Sequence, residues 1–227
     1  MSVNLDELQR RLQYRFQDPT LLRRAMTHRS FAIEHNERLE FLGDAILGAC
    51  VAELLYERLS ALPEGDLSRV RANLVRQEAL YNLAMKLGLS ECLQLGEGEI
   101  RSGGKKRPSI LADALEALIG AIYLDGGHAA ARMQVRSLYE GLHINSEMAA
   151  IGKDSKTELQ EWLQGRRMNL PSYRVVATLG EAHRQTFDVE CAIAALGLVE
   201  RGLGASRRAA EQSAAAAMLQ VLHQRGA

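Results

Sequence analysis

Apolar positions in this chain recur first with a helical period and only late with a period of two. Leu5, Leu8 and Leu12 share one face over Leu5 to Leu12, and Pro19 suits the first turn of a second helix carrying Leu21, Leu22 and Met26. The stretch His35 to Ala52, HNERLEFLGDAILGACVA, reads as a third helix, apolar almost all round, with Leu39, Leu42 and Ile46 on its core side. A turn at Leu62 to Asp66 makes Glu64 a loop acid and leads into a helix from Leu67 to Met85, capped by Asp66 or Ser68. Gly96 to Pro108 is a glycine-rich charged loop. Ser109 is placed to cap a helix over Ile110 to Leu124, which Asp125-Gly126-Gly127 stops, and a last helix over Ala129 to Leu142 completes an all-α domain at 1–147.

The segment Ile144 to Asp154, INSEMAAIGKD, lacks periodicity and supplies the linker at 148–154. Ser155-Lys156-Thr157-Glu158 then fits a capping box, and Leu159, Trp162 and Leu163 give a short helix its apolar face. From there the period falls to two. Strands are predicted over Tyr173 to Thr178, across Phe187, Val189, Cys191 and Ile193, and over Leu198 to Leu203. Ser206 caps a final alanine-rich helix with the face Ala210, Ala214, Ala217 and Val221. The expected fold is mainly α, an all-α domain followed by a small α-β-β-β-α domain at 155–225.

Composition narrows this picture modestly. The 227 residues are 47% hydrophobic, enough for two cores. Lys and Arg number 28 against 28 Asp and Glu, with 18 basic and 20 acidic residues before Gly152 and 10 and 8 after it, so charge alone does not point to nucleic acid. Cys50, Cys92 and Cys191 are odd in number and embedded in apolar sequence, which predicts buried thiols in a reducing compartment, the cytoplasm, rather than a disulfide or zinc framework. The amphipathic start lacks the apolar core of a signal peptide, and no apolar run has the length of a membrane span, so no membrane association is expected.

The candidate chemistry lies in acids placed where helices should be apolar. Glu37, Glu40 and Asp44 stand at i, i+3 and i+7, within one narrow sector flanked by Phe41 and Leu47. Asp113 and Glu116 are the only charges in Ile110 to Leu124, and Gly120 continues their face, allowing another backbone to come close. Three acids on one helix more commonly mark a solvated face, but the apolar neighbours argue otherwise, because such charges are costly unless cations meet them. Two buried acidic helices face to face make a carboxylate cage. Oxygen ligands alone suit Mg²⁺ or Mn²⁺, and a pair of such ions can clamp a phosphodiester. Arg69, Arg71 and Arg76 either face a substrate or neutralise these acids, and Lys105, Lys106 and Arg107 either contact phosphate or belong to a solvated hairpin. His28, at a helix end, reads as a hydrogen-bonded structural residue with no chemistry assigned.

HNERLEFLGDA closely resembles the signature of ribonuclease III, and the likeness extends to THRS (Thr27 to Ser30), EGDLSRVRANLVR (Glu64 to Arg76) and ILADALEALIGA (Ile110 to Ala121). GEAHRQTF and GLGASRRAAEQSAA, from Gly202 to Ala215, resemble the double-stranded-RNA-binding domain. The resemblance implies an endoribonuclease that hydrolyses double-stranded RNA in rRNA and mRNA processing. Its cofactor is expected to be Mg²⁺, with Mn²⁺ a possible substitute, and its form a homodimer in which each catalytic domain cuts one strand. Products carry 5′-phosphate and 3′-hydroxyl ends with a short 3′ overhang.

The resemblance also implies residue roles. Glu40, Asp44, Asp113 and Glu116 hold metal, Asp44 and Glu116 are catalytic, Glu37 and Glu64 support the site, and Phe41 sits at the two-fold interface. Thr157, Gln160, Glu161 and His183 meet RNA grooves, while Arg207 and Arg208, in the first turn of the last helix, meet phosphates. One departure is Glu211, where many such domains carry a third cation. The rival is a non-catalytic double-stranded-RNA-binding protein of the same fold, which would be expected to lack some of the six acids.

Overall fold

Residues 5–145, 148, 154–180 and 185–225 are described by the structure, a computed structural model, in which the chain divides into two units, 1–151 and 152–227. The first unit is helical: α1 (Leu5–Leu12), α2 (Pro19–Ala25), α3 (Glu37–Arg58), α4 (Glu64–Val75), α5 (Gln77–Lys86), α6 (Leu89–Cys92), α7 (Glu97–Arg101), a 3₁₀ turn (Gly104–Lys106) and α8 (Pro108–Leu138). The second runs α9 (Ser155–Gly165), β1 (Ser172–Leu179), β2 (Thr186–Ile193), β3 (Leu198–Gly204) and α10 (Arg207–Gln224). The fold is mainly α, and no helix among the described residues is long and apolar enough to cross a membrane.

Helices α3 and α8 form the spine of the first unit, and glycine sets their separation. A Cβ on Gly43 would collide with the carbonyl of Glu116, and one on Gly120 would collide with the carbonyl of Leu39. The buried side of α3 is consequently Leu39, Gly43, Leu47, Cys50 and Leu54, while the expected core residues Leu42 and Ile46 are only half-buried. An apolar-all-round helix offers no period to fix its rotation, and here close backbone approach fixes it. Leu111, Leu115 and Leu118 complete the core from α8.

Several predicted boundaries move. The third helix begins at Glu37 and runs on to Arg58. The single helix expected over Leu67 to Met85 is two, α4 and α5, separated at Arg76, whose ψ of 151° is extended. Helix α4 starts at Glu64, so this acid lies in a helical first turn rather than a loop. Pro63 is the N-cap, with no capping side chain from Asp66 or Ser68. Part of the glycine-rich segment is ordered as α7 and the 3₁₀ turn. Pro108 occupies the first turn of α8, so Ser109 does not cap it, and the helix restarts after a kink at Gly127, where φ is 74°, and ends at Leu138. The expected stop at 125–127 is therefore a kink. Asp125 uses it as an anchor, accepting from the hydroxyl of Tyr14 (2.8 Å) and the backbone N–H groups of Gln17 (2.9 Å) and Asp18 (2.8 Å).

In the second unit an antiparallel sheet in the order β1-β2-β3 carries α9 and α10 on one face. Val189, Cys191 and Ile193 alternate inward, and Leu159, Leu163 and Met218 cluster with Cys191 and Ile193. A Cβ on Gly202 or Gly204 would meet the backbone of α10, so these two glycines let the helix lie flat on the edge strand. The cap of α9 is Asp154, which accepts from the Thr157 N–H at 3.1 Å, one residue ahead of the capping box expected at Ser155. Ser206 caps α10 as expected, accepting from Ala209 N–H at 3.2 Å. The buried face of α10 is Ala210, Ala214, Met218 and Leu222, with Ala215 and Leu219 beside it, and Ala217 and Val221 lie only partly inside. Most of the expected linker, and His183, lie outside the described residues.

Candidate active site

The wall of the site is the Thr27 to Ser30 segment, held from both sides. The Asn36 N–H donates to the Thr27 carbonyl (2.9 Å), the His28 N–H to the Gln94 carbonyl (3.0 Å), and the Gly96 N–H to Ser30 Oγ (2.9 Å). Thr27 Oγ1 also donates to the Arg23 carbonyl at 2.7 Å, tying the segment to the end of α2. These bonds place it against the first turn of α3.

With α3 and α8 pressed together at Gly43 and Gly120, Glu40 meets Asp113 and Glu116. One carboxylate oxygen from each of these half-buried residues lies within 4.8 Å of the others. Burial, first, and then the charges of Asp44, Asp113 and Glu40 push the Glu116 carboxyl up to about 7. Burial likewise raises Glu40, helped by Asp113, Glu37 and Asp44. Asp113 is raised by burial against the opposing pull of His28 and Arg29. Three acids that each resist ionisation together form a site short of positive charge. An all-oxygen donor set without His or Cys fits a hard divalent cation, so the residues present suit a metal of the Mg²⁺ class.

The remaining expected acids are not gathered into this triad. Asp44 is exposed on α3, near enough to act on Glu40 and Glu116 through its charge but outside the converging oxygens. Glu37 is also exposed and pairs with Arg29 at 3.0 Å. Burial of the two acidic stripes is thus partial and concentrated at Glu40, Asp113 and Glu116. Glu64 lines a different groove, with Tyr56, Ser68 and Arg71, and accepts from Ser68 Oγ at 2.7 Å. Arg69 pairs with Asp66 and Arg76 with Glu78, so these two cations answer local acids.

A cleft of about 580 Å³ opens beside the triad, lined among others by His28, Arg29, Glu37, Glu40, Arg107 and Asp113. Sequence reasoning gave His28 and Arg29 no part in it. Their signal was the proximity of THRS to the acidic helix, but only the fold shows that the segment forms the opposite wall. Of the three loop cations, Arg107 lines the cleft, bound to Glu99 at 2.5 Å and donating to Ser102 Oγ at 3.0 Å, while Lys105 and Lys106 are exposed. Phe41, next to Glu40, is 82% exposed, leaving a large apolar ring with little cover from its own unit.

In the second unit Thr157 and Glu161 are exposed on α9 and Gln160 is half-buried. Arg207 and Arg208 project from the first turn of α10, where unpaired N–H groups and the helix dipole favour anions. Glu211 has a local explanation: it accepts from Lys156 Nζ (2.6 Å) and Arg207 Nε (3.0 Å), tying α9 to α10 from a mostly buried position.

Residues 18–141 match the family described as Ribonuclease-III-like, and residues 155–222 match the double-stranded RNA binding motif. The chain is 68% identical to Ribonuclease 3 of Albidiferax ferrireducens and 66% identical to that of Variovorax paradoxus, in each case over 227 residues and the full length of both chains. Among solved structures, the nuclease domain of ribonuclease III from Campylobacter jejuni superposes with a TM-score of 0.61 at 42% identity, covering 63% of this chain and all of that one. A second structure of that domain, described by flexibility in a region involved in its dimer formation, gives 0.59 at 44% identity, with 60% of this chain and 96% of that one covered.

Proposed function

We infer the activity from one premise: this chain belongs to the ribonuclease III family, and it is an endoribonuclease that cleaves double-stranded RNA. The observation that carries the catalytic reading over a purely binding one is the convergence of Glu40, Asp113 and Glu116. A binding scaffold has no use for three half-buried acids that repel one another, whereas a metal-dependent nuclease requires them.

In this reading Glu40, Asp44, Asp113 and Glu116 hold Mg²⁺, for which Mn²⁺ can substitute. A bound ion would supply charge neutralisation at the phosphate and would lower the pKa of an attacking water. Asp44 and Glu116 orient that water towards phosphorus. The water oxygen bonds to phosphorus as the P–O3′ bond breaks, one of the water's protons ends on O3′, and the products carry 5′-phosphate and 3′-hydroxyl ends. Glu37 and Glu64 support the site or the RNA beside it. Two copies joined in an isologous contact around Phe41 cut opposite strands, which yields a short 3′ overhang.

The domain at 155–225, joined to the catalytic domain at 1–147 by the linker at 148–154, holds the duplex. Thr157, Gln160, Glu161 and His183 reach into grooves, and Arg207 and Arg208 contact phosphates, a mode that reads A-form shape rather than sequence. The buried thiols of Cys50, Cys92 and Cys191, none of them in a disulfide, favour the cytoplasm, where rRNA and mRNA precursors are available. Labelled duplex and single-stranded RNA incubated with Mg²⁺ and with EDTA test this reading. Cleavage of the duplex alone, and only with the ion, is expected, and duplex binding without cleavage would favour the scaffold.

A further inference from the structure

The active-site reading leaves His28 unused, although its ring lines the same cleft as Glu40 and Asp113. Its protonation is set by its surroundings. The backbone N–H of Ser30, which can only donate, points at His28 Nδ1 at 3.2 Å. Ser30 Oγ lies 2.8 Å from the same nitrogen and accepts from the Gly96 N–H at 2.9 Å, so its own hydrogen is free for the imidazole. Two donors on Nδ1 fix the neutral tautomer that carries its proton on Nε2. Among the described residues Nε2 has no hydrogen-bond partner. Burial holds the His28 pKa below its ordinary value against the pull of Glu99 and Asp113.

The two cations that line this cleft each pair with an acid, Arg29 with Glu37 at 3.0 Å and Arg107 with Glu99 at 2.5 Å. His28 is an oriented, neutral N–H donor beside the acidic triad. We propose that His28 is a substrate-binding residue, its Nε2–H donating to a non-bridging phosphate oxygen of the RNA strand lying in the cleft, and that Ser30 acts through it as a positioning residue. The inference rests on the nuclease reading of the site. A neutral donor suits this place because the neighbouring carboxylates would draw an added cation towards themselves, whereas a fixed imidazole N–H has only the substrate to bond.

The test compares wild type with His28→Ala, His28→Gln and Ser30→Ala, full-length, on one short duplex with Mg²⁺, together with melting temperatures. A bond present in both ground and transition states acts on KM. His28→Ala is expected to lower kcat/KM on the order of tenfold through KM. His28→Gln, whose amide N–H₂ reaches a similar place, should recover most of the loss, and Ser30→Ala should fall between. Phosphorothioate substitution along the cleaved strand should reveal a position where sulfur weakens wild type but has no added effect in His28→Ala. Kinetics of His28→Ala within twofold of wild type would overturn the proposal, as would a Gln variant no better than Ala at equal melting temperature. If the Ala variant does not fold, the sulfur effect in wild type against His28→Gln and Ser30→Ala decides: a penalty weakened by Ser30→Ala supports the contact, and one unchanged refutes it. Absence of duplex cleavage by wild type would instead defeat the nuclease reading itself.

Discussion

Gly43 on α3 lies directly against the backbone of Glu116 on α8, so close that a Cβ on Gly43 would overlap the Glu116 carbonyl. The same contact that closes the core therefore sets the spacing between Glu40 and Glu116, and the fold and the metal site share one constraint. Gly43→Ala must push the helices apart. The expected cost is about 1–3 kcal/mol of stability, and cleavage should be lost even at temperatures where circular dichroism shows the variant folded. A variant as active as wild type would mean the acid spacing is not set here.

The raised Glu116 carboxyl makes a prediction about stability without metal. Its folded value of about 7 lies above the ordinary 4.5, so the folded state holds this proton more tightly than the unfolded one. The corresponding stability is fully present below about pH 4.5 and is lost as pH rises through about 7. Glu116→Gln removes the dependence. In EDTA the melting temperatures of variant and wild type should be nearly equal at pH 5, and the variant should be higher by several degrees at pH 8, with less than about 3 kcal/mol involved after solvent screening. Adding Mg²⁺ at pH 8 should raise wild type and not the variant. A difference independent of pH would contradict the assignment of Glu116 as the repelled, buried acid.

Much of this site was legible because acids at i, i+3 spacing on apolar helices are conspicuous. Glu40, Asp113 and Glu116 needed no structure to be noticed, and Gly120 was legible as a point of close approach. Its counterpart Gly43 was not, because the rotation of α3 depends on what it packs against, and Leu42 and Ile46 looked as suitable for the core as Leu47. The break at Arg76 carries no glycine or proline to signal it. Asp154 and Ser155 are equally competent caps, and only the tertiary path of the chain chooses between them. The role of His28 was not legible because it depends on what faces each ring nitrogen: Ser30 meets Nδ1, and Ser30 Oγ is itself held by the Gly96 N–H from a separate segment.

The second unit should supply affinity through phosphate contacts. Deleting residues 153–227 is expected to weaken duplex binding by at least an order of magnitude, while the full chain should lose affinity steeply between low and physiological salt, as counterion release requires. Arg207→Ala and Arg208→Ala should each flatten the slope of log affinity against log salt by about one contact. Filter binding across a salt series measures both effects. An affinity unchanged by the deletion would refute the division of labour.

Phe41 is expected to act between copies. With 82% of its surface exposed, it contributes little to its own core, and in an isologous contact one substitution removes two rings. Phe41→Ala should leave the melting temperature of the isolated subunit nearly unchanged but weaken association by roughly 3–5 kcal/mol per buried ring, giving monomers at micromolar concentration. Sedimentation velocity reports this directly, and an undiminished dimer would remove Phe41 from the interface.

Single-turnover cleavage of a labelled duplex by Glu116→Gln asks whether the triad of Glu40, Asp113 and Glu116 cuts RNA through a bound divalent ion. With saturating Mg²⁺ the variant should bind the duplex as wild type does and cleave it at least about a hundredfold more slowly, the order expected for loss of a group that stabilises charge in the transition state. Cleavage near the wild-type rate at equal binding would mean that Glu116 is not needed to hold the ion.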